Sequence, residues 1–202
     1  MKKNSFVILI ILFMPFNLLF SQFKMNYGIK AGSVYSHQIA VSYDNEFSYP
    51  SKWGLGAGVF FDGSFNKNIS TLAEIDYLQE GWYSYNDMDV YQKYSRNVLS
   101  LSVMLKLKTN AGKFTPYLLA GPRFDFLLKM DSIEYSFIKN GNPIFGITFG
   151  LGCERVVWRD YSVLAEIRYN YDFDGMFWIS SVGGLGSYNY NRALVFFVGV
   201  KF

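Results

Sequence analysis

The chain has 202 residues, half of them hydrophobic and 20% aromatic, with only 17% charged and a formal net charge of +3. That length fits one domain, and a weak positive charge without a basic stripe argues against nucleic acid as a partner. One cysteine, Cys153, and one histidine, His37, exclude an internal disulfide and a Cys/His zinc site.

The first segment in chain order, MKKNSFVILIILFMPFNLLFSQ, has a basic start, an apolar middle and a small or polar exit. This layout predicts a signal peptide over 1–21, cleaved near Ser21 or Gln22, and a mature domain over 22–202. The apolar middle, Phe6 to Phe20, is interrupted by Pro15 and Asn17. It is also shorter than the ~20 residues of a spanning helix. No cysteine stands at the cleavage region to carry a lipoprotein anchor.

The mature chain then reads as strand after strand, with period-two alternation and no helical period. Eight strands are predicted: Asn26–His37, Lys52–Asp62, Asn68–Glu80, Arg96–Lys108, Thr115–Leu128, Pro143–Glu154, Tyr161–Tyr171 and Tyr190–Phe202. They exceed the usual globular strand of ~5–6 residues and suit the ~9–11 residues of a tilted bilayer-crossing strand. Long polar loops are expected at Gln38–Ser51, Gly81–Ser95, Lys129–Asn142 and Asp172–Asn189. They alternate with the short turns GSFNK, TNAGKF and RVVWRD, so the loops gather on one rim and the turns on the other. The predicted fold class is all-β: an eight-stranded antiparallel up-and-down transmembrane β-barrel with both ends in the periplasm.

The two faces of the strands differ in the sense a bilayer requires. Leu99, Leu101, Val103, Leu105 and Leu107 share one face, and Ser100, Ser102, Met104, Lys106 and Lys108 the other. Ala73, Ile75 and Tyr77 oppose Glu74 and Asp76, while Trp53, Leu55, Ala57, Val59 and Phe61 oppose Gly54, Gly56 and Gly58. The polar and glycine faces suit a narrow lumen, in which charge must be paired. The expected lumenal network sets Lys30, Lys106, Lys108, Arg123 and Arg168 against Glu74, Asp76, Asp125, Glu154 and Glu166. Pro122 is expected to mark a bulge on the outward face. Aromatic residues near strand ends, among them Tyr27, Trp53, Trp82, Tyr117, Trp158 and Tyr161, are read as two interfacial girdles.

Three segments carry a family resemblance. TLAEIDYLQEGW, LSLSVMLKLKT…GKFTPYLLAGPRFDFLL and VLAEIRYNY resemble strands of PorT-like, porin-family small outer-membrane barrels, with the OmpA/OmpX-type eight-strand architecture. The resemblance covers about residues 25–202 and brings no catalytic residues. It implies that the closing segment, with Leu194, Phe196, Val198, Val200 and Phe202 on one face, is read by the barrel-assembly machinery.

Few residues offer a catalytic or ligand-binding pattern. His37 could serve a lipid A-modifying site, but its neighbour Ser36 must point to the opposite face. Asp44, Glu46, Asp87, Asp89, Asp131, Glu134, Asp172 and Asp174 read as solvated loop acids without calcium-loop spacing. SVGGLGSYNYN reads as an outer loop rather than a phosphate loop. Cys153 reads as an inert thiol on the lipid-facing parity. The expectation is a structural, surface-interaction or envelope-assembly protein without catalysis or cofactor. A narrow porin and a lipid A-modifying enzyme are the alternatives. Outer-membrane lipids, the barrel-assembly machinery and an envelope protein are its expected partners.

Overall fold

The computed structural model describes residues 24–41, 46–85, 91–109, 112–131, 143–158, 161–173, 176–179 and 202 back to 186. The predicted signal peptide lies outside them. The strands in chain order are β1 Lys24–Val41, β2 Glu46–Ser48, β3 Lys52–Ser64, β4 Ile69–Tyr85, β5 Tyr91–Lys108, β6 Thr115–Asp131, β7 Ile144–Trp158, β8 Tyr161–Asp172, β9 Met176–Ile179 and β10 Gly186–Lys201. The described residues contain no helix.

Eight of these strands form a closed antiparallel barrel. Each pairs with its neighbour in the order β1-β3-β4-β5-β6-β7-β8-β10, and β10 returns to β1 from Gly28↔Lys201 to Val41↔Tyr188. Closure leaves no barrel strand with a free edge, which is the condition for crossing a bilayer with strands. The period-two sequence pattern becomes the two faces of the wall. Along β8, Ser162, Leu164, Glu166, Arg168, Asn170 and Asp172 are buried, and the residues between them are outward. Leu55, Val103, Leu118, Leu151 and Val198 lie exposed on the outer surface.

The predicted loops are shorter than the sequence implied. β4 and β5 stay paired as far as Tyr85↔Tyr91, well into the expected loop Gly81–Ser95. β2 pairs with the end of β1 at Ile39↔Ser48, inside the expected loop Gln38–Ser51. β9 pairs with β10 at Ser187↔Trp178, inside the expected loop Asp172–Asn189. The closing pair β1–β10 therefore rises above the loop rim flanked by two short strands. Residues 132–142 lie outside the described ones. At the other rim the turns are tight, and Gly112 adopts φ 71°, a left-handed conformation that glycine takes without steric cost.

The expected bulge at Pro122 is displaced. The β5–β6 ladder is interrupted opposite Val103 and Met104, but Ser102↔Arg123 and Leu105↔Ala120 keep one register across the gap. Proline lacks the N–H that the ladder needs there. The register shift lies instead between Asn97 and Val98, where Lys129 and Leu127 are the successive partners and Leu128 is the extra residue.

Candidate functional site

The lumen encloses the inward side chains of the eight barrel strands, so its contents decide whether anything passes or reacts there. Its inward residues stack in alternating ionic and apolar layers along the axis. Nearest the turn rim, Lys106 Nζ lies 3.0 Å from both Asp62 and Glu154. Lys201 Nζ completes this layer at 2.8 Å from Glu154 and 3.8 Å from Asp62. Above it Phe60, Leu72, Met104, Tyr117, Leu119 and Leu164 form an apolar cluster. Leu72 separates Ser70 from Glu74 on β4 and Met104 separates Lys106 from Ser102 on β5, which fixes that order.

The middle layer draws on strands from around the barrel. Lys30 of β1 donates to Glu74 at 2.6 Å and to Asp76 at 2.9 Å, both on β4. Arg168 of β8 reaches Glu74 through both terminal nitrogens, one at 2.8 Å, and also pairs with Glu166. Tyr117 donates its hydroxyl to Glu166 at 2.7 Å. Phe197 closes this layer from β10, with Lys30 Nζ 4.3 Å and the Arg168 guanidinium 5.4 Å from its ring centre. Phe197 then joins Val34, Leu78, Val98, Ala193 and Val195 in a second apolar layer.

The outermost ionic layer joins Arg96 to Glu80 at 3.0 Å and to Asp172 at 3.3 Å. Arg123 pairs with Asp125 at 2.6 Å and with Asp172. Trp82 and Tyr94 stack beyond it, ring centres 5.2 Å apart and both buried.

The expected network residues thus divide. Lys30, Glu74, Asp76, Glu166 and Arg168 meet in the middle layer, Lys106 and Glu154 near the turn rim, and Arg123 and Asp125 near the loop rim. Lys108 sits at the mouth and donates to Ser64 Oγ at 2.9 Å, with no carboxylate in ion-pair reach among the described residues. Sequence reasoning left out Asp62, Glu80, Arg96, Asp172 and Lys201. Asp172, read as a solvated loop acid, is 2% exposed and binds two arginines. Its parity with Arg168 and Asn170 was the available signal. Trp82 and Tyr117, assigned to girdles, face inward and are buried, in parity with Glu80 and Arg123.

The glycine faces are occupied rather than open. A Cβ on Gly58 would lie 1.9 Å from an Asp76 carboxylate oxygen, and one on Gly152 2.5 Å from the Tyr117 ring. The missing side chains make room for neighbours that cross the lumen.

Ser36 and His37 do not form a nucleophile–base pair. Ser36 faces inward, accepts from the Gly81 N–H at 2.8 Å and donates to its carbonyl at 2.9 Å. His37 lies across from Arg192 on the other face. The loop acids Asp44, Asp87, Asp89, Glu134 and Asp174 fall outside the described residues. Cys153 is a half-buried free thiol.

On the outer face of the closing strand, Leu194, Phe196 and Val198 are exposed, while Val200 and Phe202 are partly covered. The backbone N–H of Phe202 donates to the Tyr27 carbonyl at 2.7 Å. Rings follow across the seam from Tyr27 to Phe202 to Tyr161, each pair 5.6 Å apart, and on to Trp158 at 6.5 Å.

Comparison with known proteins agrees with this geometry. No curated protein sequence matches the chain. Among solved structures it resembles the outer membrane protein OprG from Pseudomonas aeruginosa, with 12% identity, TM-score 0.59, and coverage of 88% of this chain and 95% of that one. The outer membrane protein AlkL in lipid bilayers gives 10% identity, TM-score 0.60, and coverage of 88% and 89%. Neisserial surface protein A gives 15% identity, TM-score 0.53, and coverage of 90% and 98%. At such identities these likenesses concern the fold. The family model "Outer membrane protein beta-barrel domain" matches residues 20–177, and the chain belongs to that family of outer-membrane barrels.

Proposed function

We propose that the protein is a sealed barrel that works through what its two rims present to the cell surface and the periplasm. Its role on this reading is structural, in surface interaction or in envelope assembly, with no catalysis in the lumen. The observation that carries it is the filled interior. Arg96, Arg123, Phe60, Lys106, Leu72, Leu78 and Met104 are all almost wholly buried on the inward face. An eight-strand barrel is just wide enough for side chains to fill, and here ionic and apolar layers fill it in turn. The finer likeness to PorT-like barrels supports a place beside envelope machinery. Outer-membrane lipids cover the wall, and the barrel-assembly machinery acts on the outward face of β10 during insertion.

Planar-bilayer recording of the reconstituted protein tests this reading against a narrow porin. The expected result is no stable conductance step, and regular steps that persist at constant voltage would overturn it. Against the lipid A-modifying alternative, a His37→Ala strain is expected to show an unchanged lipid A mass spectrum.

A further inference from the structure

The rim that carries the short turns has a charge pattern that the barrel itself does not use. Lys67 in the β3–β4 turn, Lys113 in the β5–β6 turn, Arg155 at the β7–β8 end and Lys24 at the start of β1 are all exposed. One cation thus stands at each corner of the rim. Lys108 adds a fifth at the mouth, half-covered and bonded only to Ser64. The acids of this rim do not answer them. Asp62 and Glu154 are buried and engaged by Lys106 and Lys201. No exposed Asp or Glu side chain lies on this rim among the described residues, and Arg159 and Asp160, outside them, cancel in formal charge. In sequence, the segments between the strands on the opposite side carry Asp44, Glu46, Asp87, Asp89, Glu134 and Asp174.

We propose that this cationic collar docks a carboxylate-rich surface or segment of a periplasmic protein. Short turns face the periplasm in outer-membrane barrels, so the collar is presented there. Lys24, Lys67 and Lys113 make no ion pair among the described residues, so they are free for a partner. The placement favours a soluble polyanion over lipid headgroups. Lys67 and Lys113 stand on turns, Lys24 and Lys108 share the lumenal parity, and only Arg155 lies on the lipid-facing parity, stacked 5.2 Å from the Phe114 ring. Lysine is a flexible point charge, suited to a diffuse acidic surface rather than to fixed bidentate recognition. The proposal rests on the reading that the rims carry the function. A conducting lumen would remove that reading and leave the binding result to stand alone.

The test uses the full chain in nanodiscs of phosphatidylcholine, which expose both rims, with labelled poly-L-glutamate as the probe. Binding is expected at low salt and is expected to weaken steeply as ionic strength rises, because exposed charges are screened beyond ~8 Å at physiological salt. The variant K24Q/K67Q/K113Q should lose about tenfold or more in affinity, since three charge contacts are removed. The variant K93Q/K129Q, neutralised on the opposite rim, should bind as the unaltered protein does. Heat-modifiable gel mobility verifies that each variant is a folded barrel. Failure of the unaltered protein to bind polyglutamate at low salt overturns the proposal. So does equal binding by the collar variant. If neutralising the collar abolishes only the enrichment of phosphatidylglycerol around the barrel in mixed-lipid nanodiscs, the collar is a headgroup contact and the acidic-partner proposal falls.

Discussion

Glu74, Ile75 and Asp76 are consecutive in β4, yet they occupy two different media. Glu74 and Asp76 are buried among Lys30, Arg168 and the Phe197 ring, while Ile75 is 45% exposed on the outer wall. The inward face obeys the rules of a protein interior: charges are paired, rings are packed and glycines make room for neighbours. The outward face follows hydrocarbon rules and needs only to be apolar. A barrel this narrow is therefore specified from within, where each side chain has named partners. Its wall tolerates any apolar residue of suitable size.

The largest expected effect lies on the inward face. Arg168→Met leaves Glu74 and Glu166 without their guanidinium and should cost about 3–5 kcal/mol, the range for removing one member of a buried ion pair. Urea titration of the protein folded in lipid vesicles measures it. A loss well below that range would mean that water, with Lys30 on Glu74 and Tyr117 on Glu166, is enough to satisfy the two carboxylates. On the outward face, Ile75→Arg should cost about 2–4 kcal/mol near the bilayer midplane, by the same titration. Ile75→Leu should be nearly silent, which separates the apolar requirement from a packing requirement. The smallest expected effect is at the rim. Tyr161→Leu removes the ring that links Phe202 to Trp158 and should cost about 0.5–1.5 kcal/mol. If that loss rivalled Arg168→Met, the contrast between an exacting interior and a permissive exterior would fail.

The alternation that defines these faces was readable in the sequence, because a barrel strand has only two sides and they meet opposite media. What parity could not give is depth. Glu80, Arg96 and Asp172 share the inward parity, but strands were predicted to end near them, which placed them at the edge of solvent. The β4–β5 ladder runs on through Tyr85↔Tyr91, which puts Glu80 and Arg96 inside, and Asp172 still pairs with Gly146 at the end of β8. Trp82 and Tyr117 were misplaced for a different reason. Aromatic residues near strand ends favour the interface on average, but inward parity decides for a given ring. Which charges meet across the lumen also depends on strand tilt and stagger, and local sequence encodes neither directly.

The seam between β1 and β10 gives the middle ionic layer a role in time as well as in space. Arg168 and Glu74 are 94 residues apart in the chain, and Lys30 reaches the same carboxylate from the first strand. In a sheet still open along that seam, Lys30 and Arg168 would lie near opposite margins with water around both. Rolling the sheet shut brings them to one carboxylate. Contacts so distant in sequence form late, after the entropy of the long loop has been lost. Lys30 can reach Glu74 across β3 alone, but Arg168 reaches it only from the far wall, so the Arg168 arm of the layer acts as a latch that engages as the cylinder closes and resists its reopening.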